Sequence, residues 1–183
     1  MWKWVVAAAL LMGCSSPQYT QVSNPTHPDT KAVPVIIDAA FSIWERKEIT
    51  DAISEWNLVF NGNFYMVDRV GTTFDSKADA INFIRIDASS PAPIKYDLKD
   101  KYAITFPSGS HLPSAMIYID VDATQGKLHN VALHELGHSW GADHEDNTLM
   151  QAVYSGISCV DQATVIQVAR EMRLDLSTMN YCK

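Results

Sequence analysis

Residues 134–144 of the 183-residue chain read HELGHSWGADH. His134 and His138 are four positions apart, so on an α-helix their imidazole rings lie on one face, one turn apart. This spacing allows both rings to bind one Zn²⁺ at about 2.0–2.1 Å. Glu135 lies between them and can act on a water at the open coordination position. The sequence therefore predicts a helix that carries two zinc ligands and a general base.

Gly141 and His144 extend this pattern on the C-terminal side of the predicted helix. Glycine adopts left-handed backbone angles without steric cost, so Gly141 can end the helix and reverse the chain. The reversal brings His144 towards the same metal. Three protein ligands and one open position are typical of a catalytic zinc rather than a structural one. The alternative is a polar helix end that matches HExxH by chance, which the added glycine and third histidine disfavour.

The whole stretch resembles the HExxHxxGxxH signature of the metzincin clan of zinc peptidases, and it matches that signature at every specified position. The resemblance implies a zinc endopeptidase with His134, His138 and His144 as metal ligands. It also implies a methionine turn beneath the zinc, for which Met150 is the candidate. Tyr154 corresponds to a tyrosine that walls the substrate pocket in matrixins, one family of the clan.

Within the clan the chain is most similar to a minimal bacterial matrixin, although the family stays open. Glu145 follows the third histidine where matrixins usually carry serine, and in this respect it resembles astacins. Ala152 stands where matrixins carry proline. It also occupies the position of the astacin tyrosine ligand, so a tyrosine ligand is not expected here.

The pattern before the motif predicts a strand followed by a long helix. Residues 34–41 form the predicted strand, and Ser42 with Glu45 gives a capping box that opens the helix. One face of this helix is apolar, with Ile49, Ala52, Ile53, Trp56 and Phe60 at helical spacing. Trp44 is also expected in the core.

Further strands are predicted at residues 64–68, 81–86, 102–106 and 115–121. Apolar residues on both faces of 81–86 indicate an inner strand. The zinc helix is expected to begin near Lys127 and a last helix at Asp161. This order resembles the metzincin fold, an α+β fold with a twisted mixed β-sheet, a backing helix, an active-site helix and a small C-terminal subdomain. The resemblance also implies that the 102–106 strand borders the cleft and binds substrate as an added strand.

The N-terminus predicts export. A lysine precedes a continuous apolar run at residues 5–12, which is too short to span a bilayer but suits a secretory signal. Residues 11–14 read LMGC and resemble a bacterial lipobox, which implies cleavage before Cys14 and lipidation of its thiol. An ordinary signal peptide with a chance cysteine is the alternative.

Three parts of the chain are therefore expected: a lipoprotein signal peptide at 1–13, a flexible tether at 14–33 and a metzincin-like catalytic domain at 34–183. The tether is predicted from its polar composition and its lack of apolar periodicity. The lipid would anchor the domain to the bacterial cell envelope, at the outer membrane in a Gram-negative host.

If Cys14 is lipidated, two cysteines remain, Cys159 and Cys182. Disulfides persist in exported proteins, and an even remainder indicates one bridge. The bridge would hold the C-terminal tail to the loop before the last helix. By closing a loop of about 24 residues it would contribute about 3 kcal/mol. Two buried free thiols are the alternative.

Composition limits the classes of partner. The hydrophobic fraction of 47% is ordinary for one folded domain, and the formal net charge is −7. This charge argues against a nucleic-acid or anionic-membrane partner, because both require clustered Lys and Arg. We expect a monomer that meets a protein or peptide substrate and attaches to a membrane only through its lipid.

The predicted activity is hydrolysis of peptide bonds. Zinc would lower the pKa of a water towards about 7, and Glu135 would take its proton during attack on the carbonyl. The alternative is a non-catalytic or latent zincin-fold lipoprotein that only binds. Glu135 disfavours that alternative, because binding alone needs no general base.

Overall fold

The computed structural model describes residues 18–20, 31–71, 80–90, 98–107, 113–154 and 156–183. These residues form a mixed α+β fold with a five-stranded sheet and three α-helices. The strands are β1 (Lys31–Asp38), β2 (Phe64–Gly71), β3 (Ile81–Ile86), β4 (Ala103–Pro107) and β5 (Ala115–Asp120). The helices are α1 (Ile43–Phe60), α2 (Leu128–Ser139) and α3 (Gln162–Met172), followed by a 3₁₀ turn at Leu176–Thr178. None of these helices is long and apolar enough to cross a membrane.

The sheet is mostly parallel, with strand order β2-β1-β3-β5-β4. β1 pairs in parallel with both β2 and β3, and β3 pairs in parallel with β5. β4 is the exception: it lies at the edge and pairs antiparallel with β5. The prediction of a mixed sheet is therefore confirmed, as is the inner position of β3, where Ile81 and Phe83 are fully buried.

The capping box of α1 forms as predicted. The Ser42 hydroxyl accepts a hydrogen bond from the Glu45 amide at 3.2 Å, and the Glu45 carboxylate accepts one from the Ser42 amide at 2.6 Å. The predicted apolar face is buried, but the prediction for Trp44 is wrong, since this side chain is 77% exposed. Trp44 lies about 140° around the helix from Ile49 and so faces away from the core.

The predicted boundaries of the first two strands also differ from the structure. β1 begins at Lys31, because its first residues pair in register with Phe64 and the residue after it in β2. It ends at Asp38, whose carboxylate accepts the Ala40 amide at 2.9 Å and starts a turn. β2 extends to Gly71 along the same ladder. The residues at these strand ends are mostly exposed and mix charged with apolar side chains, so their pairing was not predictable from hydrophobic alternation.

α1 and α2 pack against each other in one hydrophobic core. The indole of Trp56 donates to the Leu133 carbonyl of α2 at 3.1 Å. Trp140, directly after α2, packs against Phe60 and Phe64 with ring centroids 4.3 and 5.0 Å apart. These contacts fix the position of the helix that carries the histidines.

The predicted disulfide between Cys159 and Cys182 is present and joins the C-terminal tail to the loop before α3. The tail also contacts the short N-terminal segment 18–20: Thr20 donates to the Tyr181 carbonyl at 2.9 Å. The predicted signal peptide, the lipidation site Cys14 and most of the predicted tether lie outside the described residues.

Candidate metal centre

Three imidazoles converge on one point in front of α2. His134 and His138 lie one turn apart on this helix, and His144 lies in the loop that follows. One ring nitrogen from each of the three lies within 4.8 Å of the others. The Nε2 atoms of His138 and His144 are only 3.2 Å apart. The structure therefore brings together the three predicted ligands in an arrangement that can hold a metal ion.

Backbone carbonyls orient two of these rings. The Nδ1 atom of His134 lies 2.8 Å from the Leu149 carbonyl, and that of His138 lies 2.7 Å from the Ala142 carbonyl. A carbonyl oxygen only accepts hydrogen bonds, so each Nδ1 carries the proton. Each Nε2 therefore presents a free lone pair towards the centre of the cluster, as a metal ligand must.

The electrostatics of the cluster favour the neutral forms of His134 and His138. The pKa of His134 is lowered to about 4, mainly by burial and to a smaller extent by the His138 and His144 rings, against the opposing effect of the hydrogen bond to the Leu149 carbonyl. Burial also lowers the pKa of His138.

Two ligands of one tetrahedral ion, each about 2.0–2.1 Å from it, would lie about 3.3–3.4 Å apart, close to the observed separation of two Nε2 atoms. The donor set thus fits a divalent metal ion.

Gly141 ends α2 as predicted. Its φ is +88°, in the left-handed region that glycine adopts without strain. Beyond it, the Ala142 amide donates to the Gly137 carbonyl at 3.0 Å. This turn delivers both the Ala142 carbonyl that orients His138 and the third imidazole of His144.

The carbonyl that orients His134 is itself fixed from the other side. The Leu149 amide donates to one carboxylate oxygen of Asp161 at 2.6 Å, while the other oxygen accepts the Thr164 amide at 3.1 Å. Asp161 is thus the N-cap of α3 and also a support for the metal site. The sequence pattern indicated only the start of a helix at this position, because no spacing rule shows where the second oxygen points.

Met150 is fully buried in the hydrophobic core. A Cβ atom at Gly137 would overlap its sulfur, so α2 and the methionine turn are in direct contact. Sequence reasoning passed over Gly137, although a glycine inside a helix is a signal for close packing.

Glu135 is the only acidic residue of α2; it lines the same cavity as the three histidines and is only 6% exposed. The Thr105 hydroxyl of β4 donates a hydrogen bond to its carboxylate. Burial raises the pKa of Glu135 to about 7, against the opposing effects of Thr105 and Lys101. A carboxyl with such a pKa can both accept and donate a proton near neutral pH. Thr105 was not identified from the sequence, because its contact depends on how β4 docks on α2.

A cavity of about 970 Å³ opens beside the three histidines. β4 forms one side of it and α2 another, and residues 151–154 lie opposite. Tyr154 lines this cavity, is 39% exposed, and accepts a hydrogen bond from the Asn130 amide group at 3.0 Å. The cavity thus joins the predicted ligands, the predicted base and the predicted pocket residue in one space.

No protein-family model matches the sequence, and no curated protein is significantly similar to it.

Proposed function

We propose that the protein is a zinc-dependent endopeptidase of the metzincin type. One observation carries the proposal: three imidazoles, two of them with free Nε2 lone pairs, converge beside a buried carboxyl in a cavity bordered by an edge strand. The mixed sheet with its antiparallel edge strand next to α2 supports the metzincin type.

His134, His138 and His144 would hold the metal. Three neutral nitrogen ligands suit Zn²⁺, which accepts imidazole readily and keeps a fourth position open in catalytic sites. When bound, Zn²⁺ supplies Lewis-acid polarisation of a carbonyl and lowers the pKa of a water.

Glu135 acts as the general base in this proposal. Its carboxylate accepts a proton from the attacking water and later donates a proton to the leaving amine. The Thr105 hydroxyl keeps the carboxylate in place by its hydrogen bond. Glu135 is the only acidic residue of α2 that lines this cavity, so it is the only candidate for a base on that helix.

β4 offers a binding surface for an extended peptide. Among the described strands it pairs only with β5, so its other edge carries unpaired backbone groups. A substrate can add to this edge as a further strand, with main-chain hydrogen bonds holding it beside Glu135. Pockets such as the one lined by Tyr154 would then receive its side chains.

We further propose that the protein is exported and lipid-anchored to the cell envelope. The lipobox-like sequence at residues 11–14 supports this location. The disulfide between Cys159 and Cys182 also supports it, because disulfides persist in oxidising compartments outside the cytosol.

The test compares the zinc-loaded protein with a Glu135→Gln variant on denatured casein, with new peptide N-termini counted by mass spectrometry. The wild type is expected to generate internal cuts. The variant is expected to bind the same amount of zinc and to cut about 10²- to 10⁴-fold more slowly. Zinc binding without cuts by the wild type would instead indicate a binding protein, and equal cutting by both would exclude Glu135 as the base.

A further inference from the structure

Lys127 lines the cavity and immediately precedes α2. It precedes His134 by seven residues, which places it on the same face of the helix about 10 Å along the axis. The cavity wall therefore carries a lysine whose backbone lies about two helical turns from that of His134.

The ammonium of Lys127 is held in place by two aromatic rings. Its Nζ atom lies 4.6 Å from the ring centroid of Tyr102 and 4.9 Å from that of Tyr154, and it donates to the Tyr102 hydroxyl at 2.7 Å. The two rings meet edge to face with centroids 6.3 Å apart. Asn130 holds the Tyr154 hydroxyl from the other side. Cation–π contacts of this kind orient a lysine side chain that would otherwise be mobile.

No carboxylate neutralises this cation within the described part of the chain, whose ion pairs all involve other residues. Asp100 and Asp143 also line the cavity, but neither forms an ion pair with Lys127. An ammonium has three hydrogens to donate, and the Tyr102 hydroxyl takes one of them. The remaining donors are available to a ligand.

We propose that Lys127 is a specificity-determining residue that selects substrates with a carboxylate close to the scissile bond. This inference rests on the proposed peptidase function. An acidic side chain next to the cut would reach towards Lys127. A terminal carboxylate would reach it as well if the peptide continued for about three extended residues beyond the cut, at about 3.3 Å each. Both candidates present a carboxylate to Lys127, and designed peptides distinguish a side-chain carboxylate from a terminal one.

The first test uses the full chain and peptides derived from a mapped casein cut. Glu is compared with Gln at each position within two residues of the cut, and each peptide is made with a free and an amidated C-terminus. A charged hydrogen bond at Lys127 predicts a preference of about 10- to 100-fold in kcat/KM for the carboxylate. A Glu preference identifies a side chain, whereas loss on amidation identifies the terminus. Equal rates in both comparisons would overturn the inference while leaving the peptidase intact.

A second test measures binding without turnover. Fluorescence anisotropy of the labelled peptides on the Glu135→Gln variant is expected to show the same carboxylate preference. If the wild type cuts no casein, the proposed function fails alone, and the same comparison on a library of random peptides that differ only in Glu or Gln still reports on Lys127. Equal binding of all peptides would again overturn the inference.

Variants of Lys127 separate specificity from structural support. Lys127→Met is expected to abolish the discrimination between Glu and Gln, Lys127→Arg to retain it, and Lys127→Glu to shift the preference to a Lys peptide. Lys99→Met removes an exposed lysine outside this cavity and serves as the matched control. An equal loss of rate on all peptides, with the Glu/Gln ratio unchanged, would show that Lys127 only supports the wall.

Discussion

Gly137 lies so close to the thioether of Met150 that a Cβ atom at this position would overlap the sulfur. The Met150 side chain therefore packs directly against the backbone of the helix that carries the histidines. The residue before the methionine, Leu149, supplies the carbonyl that orients His134. Close packing between the two segments thus positions a metal ligand indirectly.

Replacing Gly137 with alanine tests this contact. Alanine favours a helix interior by about 1 kcal/mol over glycine, so the substitution would stabilise a helix with free space around it. Here the added methyl group overlaps a buried sulfur, and overpacking typically costs about 1–3 kcal/mol. We expect Gly137→Ala to lower the free energy of unfolding, as measured by urea denaturation.

The control for this experiment is the same substitution in a Met150→Ala background. Removing the thioether makes room for the methyl group, so Gly137→Ala is then expected to be neutral or stabilising. An identical cost in both backgrounds would show that the Met150 contact is not the cause.

Asp161 is expected to influence metal affinity although it is not one of the three candidate ligands. Its carboxylate fixes the Leu149 amide, and Leu149 in turn orients His134. Asparagine preserves helix capping, but it has only one acceptor oxygen in place of two. It therefore cannot accept from the Leu149 and Thr164 amides with a separate oxygen for each. We expect Asp161→Asn to weaken zinc binding about 10- to 100-fold, as measured by competition with a chelator.

Asp175 provides a matched control, because it caps the 3₁₀ turn in the same way at a position outside the cavity. Asp175→Asn is expected to leave zinc affinity unchanged. Equal effects of the two substitutions would contradict the role assigned to Asp161.

The ion pair between His129 and Glu55 predicts a pH-dependent stability. It joins α2 to α1 with 3.4 Å between Nε2 and a carboxylate oxygen. Burial lowers the pKa of His129, but the hydrogen bonds to Glu55 and Asn130 outweigh it and the net pKa is raised. The stabilisation is therefore fully present below the unfolded pKa of about 6.5 and is lost as pH rises through the folded value.

The measurement is the difference in unfolding free energy between the wild type and His129→Gln from pH 5 to 9. The difference should shrink with rising pH, with a slope no steeper than about 1.4 kcal/mol per pH unit for one proton. A difference that stays constant or grows over this range would contradict the ion pair.

The disulfide between Cys159 and Cys182 is expected to contribute about 3 kcal/mol, because it closes a loop of about 24 residues. Reductant should lower the denaturation midpoint of the wild type by a corresponding amount. A Cys159→Ala/Cys182→Ala double variant should show the lowered midpoint without reductant and no further response to it. A reductant effect of equal size on the double variant would assign the loss to another cause.

Much of the site was predictable because its signals are local. The ligand spacing, the glycine turn and the capping box each depend on a few neighbouring residues, and the structure places His134, His138 and His144 together accordingly. The disulfide was also predictable, since only two cysteines remain once Cys14 is set aside.

The unpredicted features depend on contacts between distant segments. Thr105 reaches Glu135 only because β4 docks against α2, and Asp161 reaches Leu149 only because α3 begins beside the methionine turn. Trp44 was predicted in the core from its size and apolar character, but it is exposed. A large apolar side chain does not by itself determine which helix face is buried.

The most direct test of the central claim is a titration of the metal-free full chain with Zn²⁺ while casein cleavage is recorded. We predict that cleavage rises in proportion to added zinc and reaches its plateau at one equivalent per chain. Cleavage that persists after metal removal, or one bound equivalent without cleavage, would contradict the assignment of this site as a zinc peptidase.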